Sequence, residues 1–161
     1  MKKSVVVFAP HTSNYDFILG ELAFWLRSIN IRILVKDDWL FFPLSLVMQA
    51  MGVVGVNREN SNSNFVGYVV DLFDKNEDFH LIFCPEGTRQ AAYKWKTGFY
   101  HAALEAGVPL VLTYLDYKEK IACVYGIVYP TGDYERDMEP IQEIYKDVSP
   151  RYPENYNQQI Y

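Results

Sequence analysis

The sequence has little cysteine, little charge and no surplus of positive charge. Cys84 and Cys123 are its entire cysteine complement. Two thiols build neither the disulfide framework of a small secreted scaffold nor a zinc pattern, so a reducing, cytosolic compartment is the simplest reading. Charged residues make up 22% of the chain, and 15 Lys and Arg stand against 20 Asp and Glu, a net charge of −5. That balance excludes broad nucleic-acid binding, which needs an excess of cations to neutralise phosphates. It leaves room for a local basic pocket. His80 and His101 have no partner at ligand spacing, so no metal site is expected. The apolar residues after Lys2 and Lys3 are too few for a signal peptide, and residues 10–14 are not a small-residue cleavage site. Internal repeats and linkers are also missing. At 161 residues, half of them apolar, the chain reads as one domain over residues 1–161 with a real core.

One stretch lacks charge altogether. Residues 39–56 contain no Asp, Glu, Lys or Arg, at the lower edge of the ~17–25 residues that span a bilayer. Pro43, Gln49, Gly52 and Gly55 interrupt it, while Leu40, Phe41, Leu44, Val47, Met48 and Met51 recur at helical spacing. A helix over 40–51 with one apolar face fits better than a span. Two readings of that face stay open: it packs in the core, or Trp39, Phe41 and Phe42 lie in a membrane surface or line a lipid entrance.

Elsewhere short β-rich runs alternate with helical periods. Strands are expected at 4–8, 31–36, 53–56 and 79–83, with a hairpin of 108–115 and 121–129 about the turn 116–120. Helices are expected at 15–28, 65–75, 97–106 (closed by Gly107) and 138–148. The tail 152–161 reads as poorly ordered. The fold class is therefore α/β: a sandwich of a mostly parallel sheet with an added antiparallel hairpin, flanked by helices. Reactive groups in such folds collect on loops leaving the carboxyl ends of strands. Three of those loops are polar here: 10–16, 57–64 and 85–98.

In the first loop His11 and Asp16 are separated by Thr12-Ser13-Asn14-Tyr15. With His11 in the loop and Asp16 in the first helical turn, the carboxylate can fix the imidazole tautomer and stabilise its cation, which makes the pair a general base. Ser13-x-x-Asp16 reads equally well as a capping box, with His11 merely a polar loop residue. In the third loop Gly87 permits a tight turn, Thr88 offers a hydroxyl and Arg89 a planar fork for phosphate. Arg58, Lys94 and Lys96 could add charge there. A local Glu86–Arg89 ion pair is the plainer alternative.

Taken together, His11-x-x-x-x-Asp16, Gly55-Val56-Asn57-Arg58, Phe83-Cys84-Pro85-Glu86-Gly87-Thr88-Arg89 and Val108-Pro109-Leu110-Val111 resemble, in order and spacing, the four blocks of the 1-acylglycerol-3-phosphate acyltransferase family. The Lys96-Thr97-Gly98 turn resembles that family too, and the likeness runs from the first strand to about Leu112. The resemblance implies that His11 deprotonates the acceptor hydroxyl and that Asp16 orients it. Arg58 and Glu86-Gly87-Thr88-Arg89, with Lys96 beside them, would hold the acceptor's phosphate or equivalent head group. It implies a thioester donor (acyl-CoA or acyl carrier protein), a lysophospholipid-type acceptor such as lysophosphatidic acid, a place in phospholipid biosynthesis, and no cofactor or metal. It also implies peripheral attachment to the membrane surface, on the inner face of the cell membrane. Asn57, Cys84 and Gln90 depart from the family's usual Asp, Phe and Ser, which bears on the acceptor.

Two other classes remain. Cys84 could be a nucleophile activated by His11, giving a thioesterase or hydrolase, although a cysteine ending an apolar strand more often packs as a small core residue. Alternatively the blocks could serve a non-catalytic lipid- or phosphate-binding module, for which the His11–Asp16 dyad would be superfluous.

Overall fold

The computed structural model describes residues 1–36, 52–56 and 65–161. The expected helix over 40–51, the aromatic residues at 39, 41 and 42, and Asn57 and Arg58 lie outside them. Among the described residues there are six strands: β1 (Lys3–Phe8), β2 (Ile31–Lys36), β3 (Val53–Val56), β4 (Phe79–Phe83), β5 (Leu110–Asp116) and β6 (Ile121–Val128). Four α-helices alternate with them: α1 (Asn14–Leu26), α2 (Phe65–Lys75), α3 (Gly98–Glu105) and α4 (Tyr134–Lys146). The strands form one sheet in the order β3-β2-β4-β1-β5-β6. All neighbours are parallel except β5 and β6. This is the α/β architecture the alternating periods predict.

β1 lies between β4 and β5, and everything from Ser4 to Phe8 is buried. That explains its unbroken apolar run, since a central parallel strand is covered on both faces. Val5 and Val7 pack with Phe73 of α2, Phe99 of α3 and Ile141 and Tyr145 of α4. Val6 points the other way, into a smaller cluster with Phe24 of α1, Ile31 and Val111. Three helices thus cover one face and α1 the other. Each fully buried aromatic or branched side chain contributes roughly 1.5–3 kcal/mol to that packing. Gly20 lets α1 approach β1 closely, because a Cβ there would come within 3.2 Å of the Phe8 ring.

Several boundaries shift by one or more residues from the periodic pattern, and two of the shifts, with the tail, have a clear cause. α1 stops at Leu26, because Ser28 takes φ +55° and the amides of Ser28 and Ile29 turn back to Trp25 and Phe24. α4 starts at Tyr134 rather than 138: the Asp133 side chain accepts the Arg136 amide at 3.2 Å and caps the helix ahead of Pro140. The tail, expected to be loose, packs back onto the core. Ile160 is fully buried, its carbonyl accepts the Trp95 amide at 2.8 Å, and its own amide donates to Gln142 at 2.9 Å.

Candidate active site

β1, β4 and β5 are parallel neighbours, with Val7 level with Phe83 and Phe8 with Thr113. Their carboxyl ends therefore open at one edge, and the segments that follow meet there. β1 delivers His11, β4 delivers Glu86 and the turn after it, and β5 delivers Tyr117.

His11 sits three residues before α1, its side chain 19% exposed. Its amide donates to Glu86 Oε1 at 3.0 Å, and its ring meets the Phe8 ring edge-on at 6.4 Å between centroids. Nδ1 is buried 3.4 Å from Asp16 Oδ2, an ion-pair distance without the alignment of a hydrogen bond. Such contacts commonly tighten once substrate is in place. The Nδ1–H tautomer is the one that pairs with the carboxylate.

Asp16 is 1% exposed and surrounded by donors. The amides of Thr12 and Ser13 reach Oδ2 at 2.8 Å each, and the Ser13 hydroxyl reaches Oδ1 at 2.8 Å. The Tyr117 hydroxyl donates to Oδ1 at 2.5 Å. Burial alone would raise the Asp16 pKa, but the His11 contact and the hydrogen bonds from Tyr117 and Ser13 outweigh it and hold the carboxyl at about 2. Capping box and dyad are thus not alternatives. One carboxylate closes the amino end of α1 and faces the imidazole.

Glu86 is buried rather than paired with Arg89. Its Oε2 has no hydrogen-bond partner. Burial, only partly offset by the His11 amide and aided by the nearby Asp16 charge, pushes its carboxyl up to about 7. Gly87, Thr88 and Arg89 face outward from the same turn and are exposed. Gly87 has φ +68°, and a Cβ there would lie 2.7 Å from Lys96 Cε and 2.8 Å from its Nζ. The Lys96 ammonium consequently folds over this turn, held by its own amide on the Pro85 carbonyl at 2.9 Å. The structure thus brings His11, Asp16 and Glu86 together, with Lys96 over Gly87 beside them. Arg58 lies outside the described residues. Burial, with the Glu86 and Asp16 charges, pushes the Cys84 thiol far up, the opposite of what a nucleophile needs. Among the described residues no group of three acidic, His or Cys side chains could hold a metal.

The acyltransferase family model matches residues 1–114 of this geometry. The chain belongs to the acyltransferase family. It is 24% identical over 112 residues to the 1-acyl-sn-glycerol-3-phosphate acyltransferase of Haemophilus influenzae, covering 66% of this chain and 45% of that protein. It is 27% identical over 114 residues to the Escherichia coli K12 protein of the same name, covering 67% and 45%. The chain thus spans less than half the length of either curated relative. No solved structure matches it.

Part of the candidate site in this acyltransferase-family chain lies beyond residue 114, past the family match and past the motifs. Tyr117 touches Asp16, and its amide is held by the Ser149 carbonyl at 2.8 Å. The Tyr152 amide donates to Thr12 Oγ1 at 3.2 Å, and the Arg151 guanidinium lies over the Tyr15 ring at 3.8 Å. The chain after α4 therefore braces the His11 loop. The one sequence signal was Tyr117 at the tip of an expected hairpin that follows the strand next to β1.

Proposed function

We propose that the protein transfers a fatty acyl group from a coenzyme A or acyl carrier protein thioester to the hydroxyl of a lysophospholipid-type acceptor such as 1-acylglycerol-3-phosphate, as a step of phospholipid synthesis. The observation that carries this reading is the His11–Asp16 pair at the mouth of the sheet, its carboxylate buried and held ionised by four other hydrogen bonds. With Nδ1 turned to Asp16, Nε2 takes the acceptor's hydroxyl proton as that oxygen attacks the thioester carbonyl. The tetrahedral intermediate then expels the thiolate, which recovers the proton from the imidazolium. No acyl-enzyme is required, because the thioester is already activated and one positioned base suffices.

Lys96, Arg89 and Thr88 around Gly87 suit the acceptor's phosphate, Arg58 would add a second guanidinium, and Glu86 holds the His11 backbone from below. No described helix is long and apolar enough to cross a membrane. We place the protein on the inner face of the cell membrane as a peripheral enzyme, where its acceptor resides. The test is thiol release from acyl-coenzyme A with and without lysophosphatidic acid. Acceptor-dependent release that falls about 10²–10⁴-fold in His11→Ala is the expected result. Release that ignores the acceptor and disappears in Cys84→Ala would replace this reading with a hydrolase.

A further inference from the structure

α1 buries only a narrow seam, Asp16, Gly20 and Phe24, against the sheet. Its other side carries large apolar residues at helical spacing: Tyr15, Ile18, Leu19, Leu22, Trp25 and Leu26, all exposed among the described residues. Trp25 is 74% exposed, Leu26 69% and Ile18 59%. Scattered exposed apolar residues need no explanation, whereas a contiguous stripe along a whole helix marks a surface that meets something apolar. Beside it an open groove of about 410 Å³ runs between Leu19, Leu22 and Leu26 of α1 and Leu115, Ile121 and Ala122 of the β5–β6 hairpin. Tyr117, whose hydroxyl reaches Asp16, forms part of that groove. The apolar face is therefore continuous with the reactive end of the sheet.

The charge around the stripe is opposite in sign to the chain as a whole. Arg27 and Lys120 line the groove, Lys118 is exposed at the hairpin tip, and Arg151 stacks on Tyr15 at the amino end of the stripe. Against these four cations stand exposed Glu119 and half-buried Glu21. Asp116, buried in the groove wall where it accepts the amides of Glu119 and Ser149, is a third carboxylate, which leaves four cations against three. A net positive rim around an apolar helix face, on a chain of net charge −5, is complementary to a bilayer that exposes anionic head groups over acyl chains.

We infer that the exposed face of α1, with the adjoining hairpin groove, is the surface by which this protein docks on an anionic lipid bilayer. The inference rests on the acyl-transfer reading for its biological setting, but its measurement does not. α1 lies in the interfacial plane with Trp25 and Leu26 among the acyl chains, while Lys118, Lys120, Arg27 and Arg151 meet the lipid phosphates. The His11–Asp16 pair, at the amino end of the same helix, then faces the lipid–water boundary.

The experiment is co-sedimentation of the full chain with phosphatidylcholine vesicles prepared with and without phosphatidylglycerol, alongside quenching by brominated lipid in a Trp39→Phe background, where the two emitters left are exposed Trp25 and the core residue Trp95. Two variants accompany it: Ile18→Gln/Leu22→Gln/Trp25→Gln, and Lys118→Gln/Lys120→Asn, the Asn chosen because position 120 has φ +57°. Circular dichroism and thermal unfolding check that each is folded, and sedimentation velocity reports self-association. Docking on α1 predicts salt-sensitive binding to phosphatidylglycerol vesicles, quenching of Trp25, a loss of about tenfold or more in partitioning for the apolar variant, and weaker binding for the charge variant. Binding unchanged in the folded apolar variant, absence of binding to any vesicle, or self-association abolished by that variant overturns the inference, the last in favour of a second copy of the chain. Turnover of a micellar acceptor is measured in parallel. Turnover without vesicle binding ends the docking proposal alone, and vesicle binding without turnover ends the acyl-transfer reading alone.

Discussion

Asp16 is the residue on which the site turns, because it carries two duties on two oxygens. Oδ2 takes the amides that open α1 and faces His11, while Oδ1 takes the hydroxyls of Ser13 and Tyr117. Every donor on this carboxylate spreads its charge and weakens its pull on the imidazole. Tyr117→Phe keeps the ring and removes one donor from Asp16, together with the hydroxyl's contacts to Ser13 and Arg151. It is expected to make the Asp16 carboxylate more basic, because a hydrogen bond that favours its charged form is gone. Acceptor-dependent thiol release should then fall by a few-fold at most, far less than in His11→Ala. A loss as large as that of His11→Ala would show that the Tyr117 hydroxyl does more than support Asp16.

At the scale of elements, the active edge depends on how β1 and β5 part. Their register ends at Phe8 level with Thr113, the Ala9 amide still reaches the Thr113 carbonyl at 3.3 Å, and the Tyr145 hydroxyl from α4 bridges the two strands there. It lies 3.1 Å from the Val7 carbonyl, the Thr113 carbonyl and the Thr113 amide, and accepts from the last. The Thr113 hydroxyl adds a bond to Val7 at 3.0 Å. Tyr145→Phe keeps the fully buried ring but takes the acceptor from the Thr113 amide, while the Val7 carbonyl keeps the Thr113 hydroxyl and the Thr113 carbonyl keeps the Ala9 amide. Chemical denaturation should show a loss of about 1–3 kcal/mol with an unchanged m-value, since an orphaned buried polar group costs its full desolvation. A neutral result would mean that water replaces the hydroxyl there. The same paired geometry accounts for the tail: Tyr156 donates to the Tyr145 carbonyl at 3.0 Å, so α4 and the terminal segment are one support.

For the molecule as a whole, Asp16 also couples stability to pH. Its folded pKa of about 2 lies below its ordinary value of 3.8. A depressed carboxyl contributes stability that is present above the unfolded pKa and lost as pH falls through the folded one. The window is therefore about pH 4 down to pH 2, and the contribution is about 2 kcal/mol. Acid unfolding of Asp16→Asn should be less stable than the parent by that amount at pH 5 and converge on it by pH 2. Parallel curves across the window would show that the carboxylate is not the group being titrated.

The sequence by itself determined the order of strands and helices, because burial on two faces, turn residues and caps are local and leave a periodic trace. It also carried the spacing of His11 and Asp16 and the turn at Gly87, since each rests on residues near one another in the chain. It could not decide between capping box and dyad, as both use the same carboxylate and only the fold shows them coexisting. Nor could it show that Glu86 turns inward to the His11 backbone, or that Tyr117 and residue 152 of the tail reach the loop. Those contacts join positions whose proximity follows from sheet order alone. The exposed face of α1 was hidden for a related reason. The helix is apolar on nearly every side, so periodicity could not tell its buried seam from its open one. Only the placement of β1 beneath Gly20 and Phe24, with no described element above Trp25, decided which side faces outward.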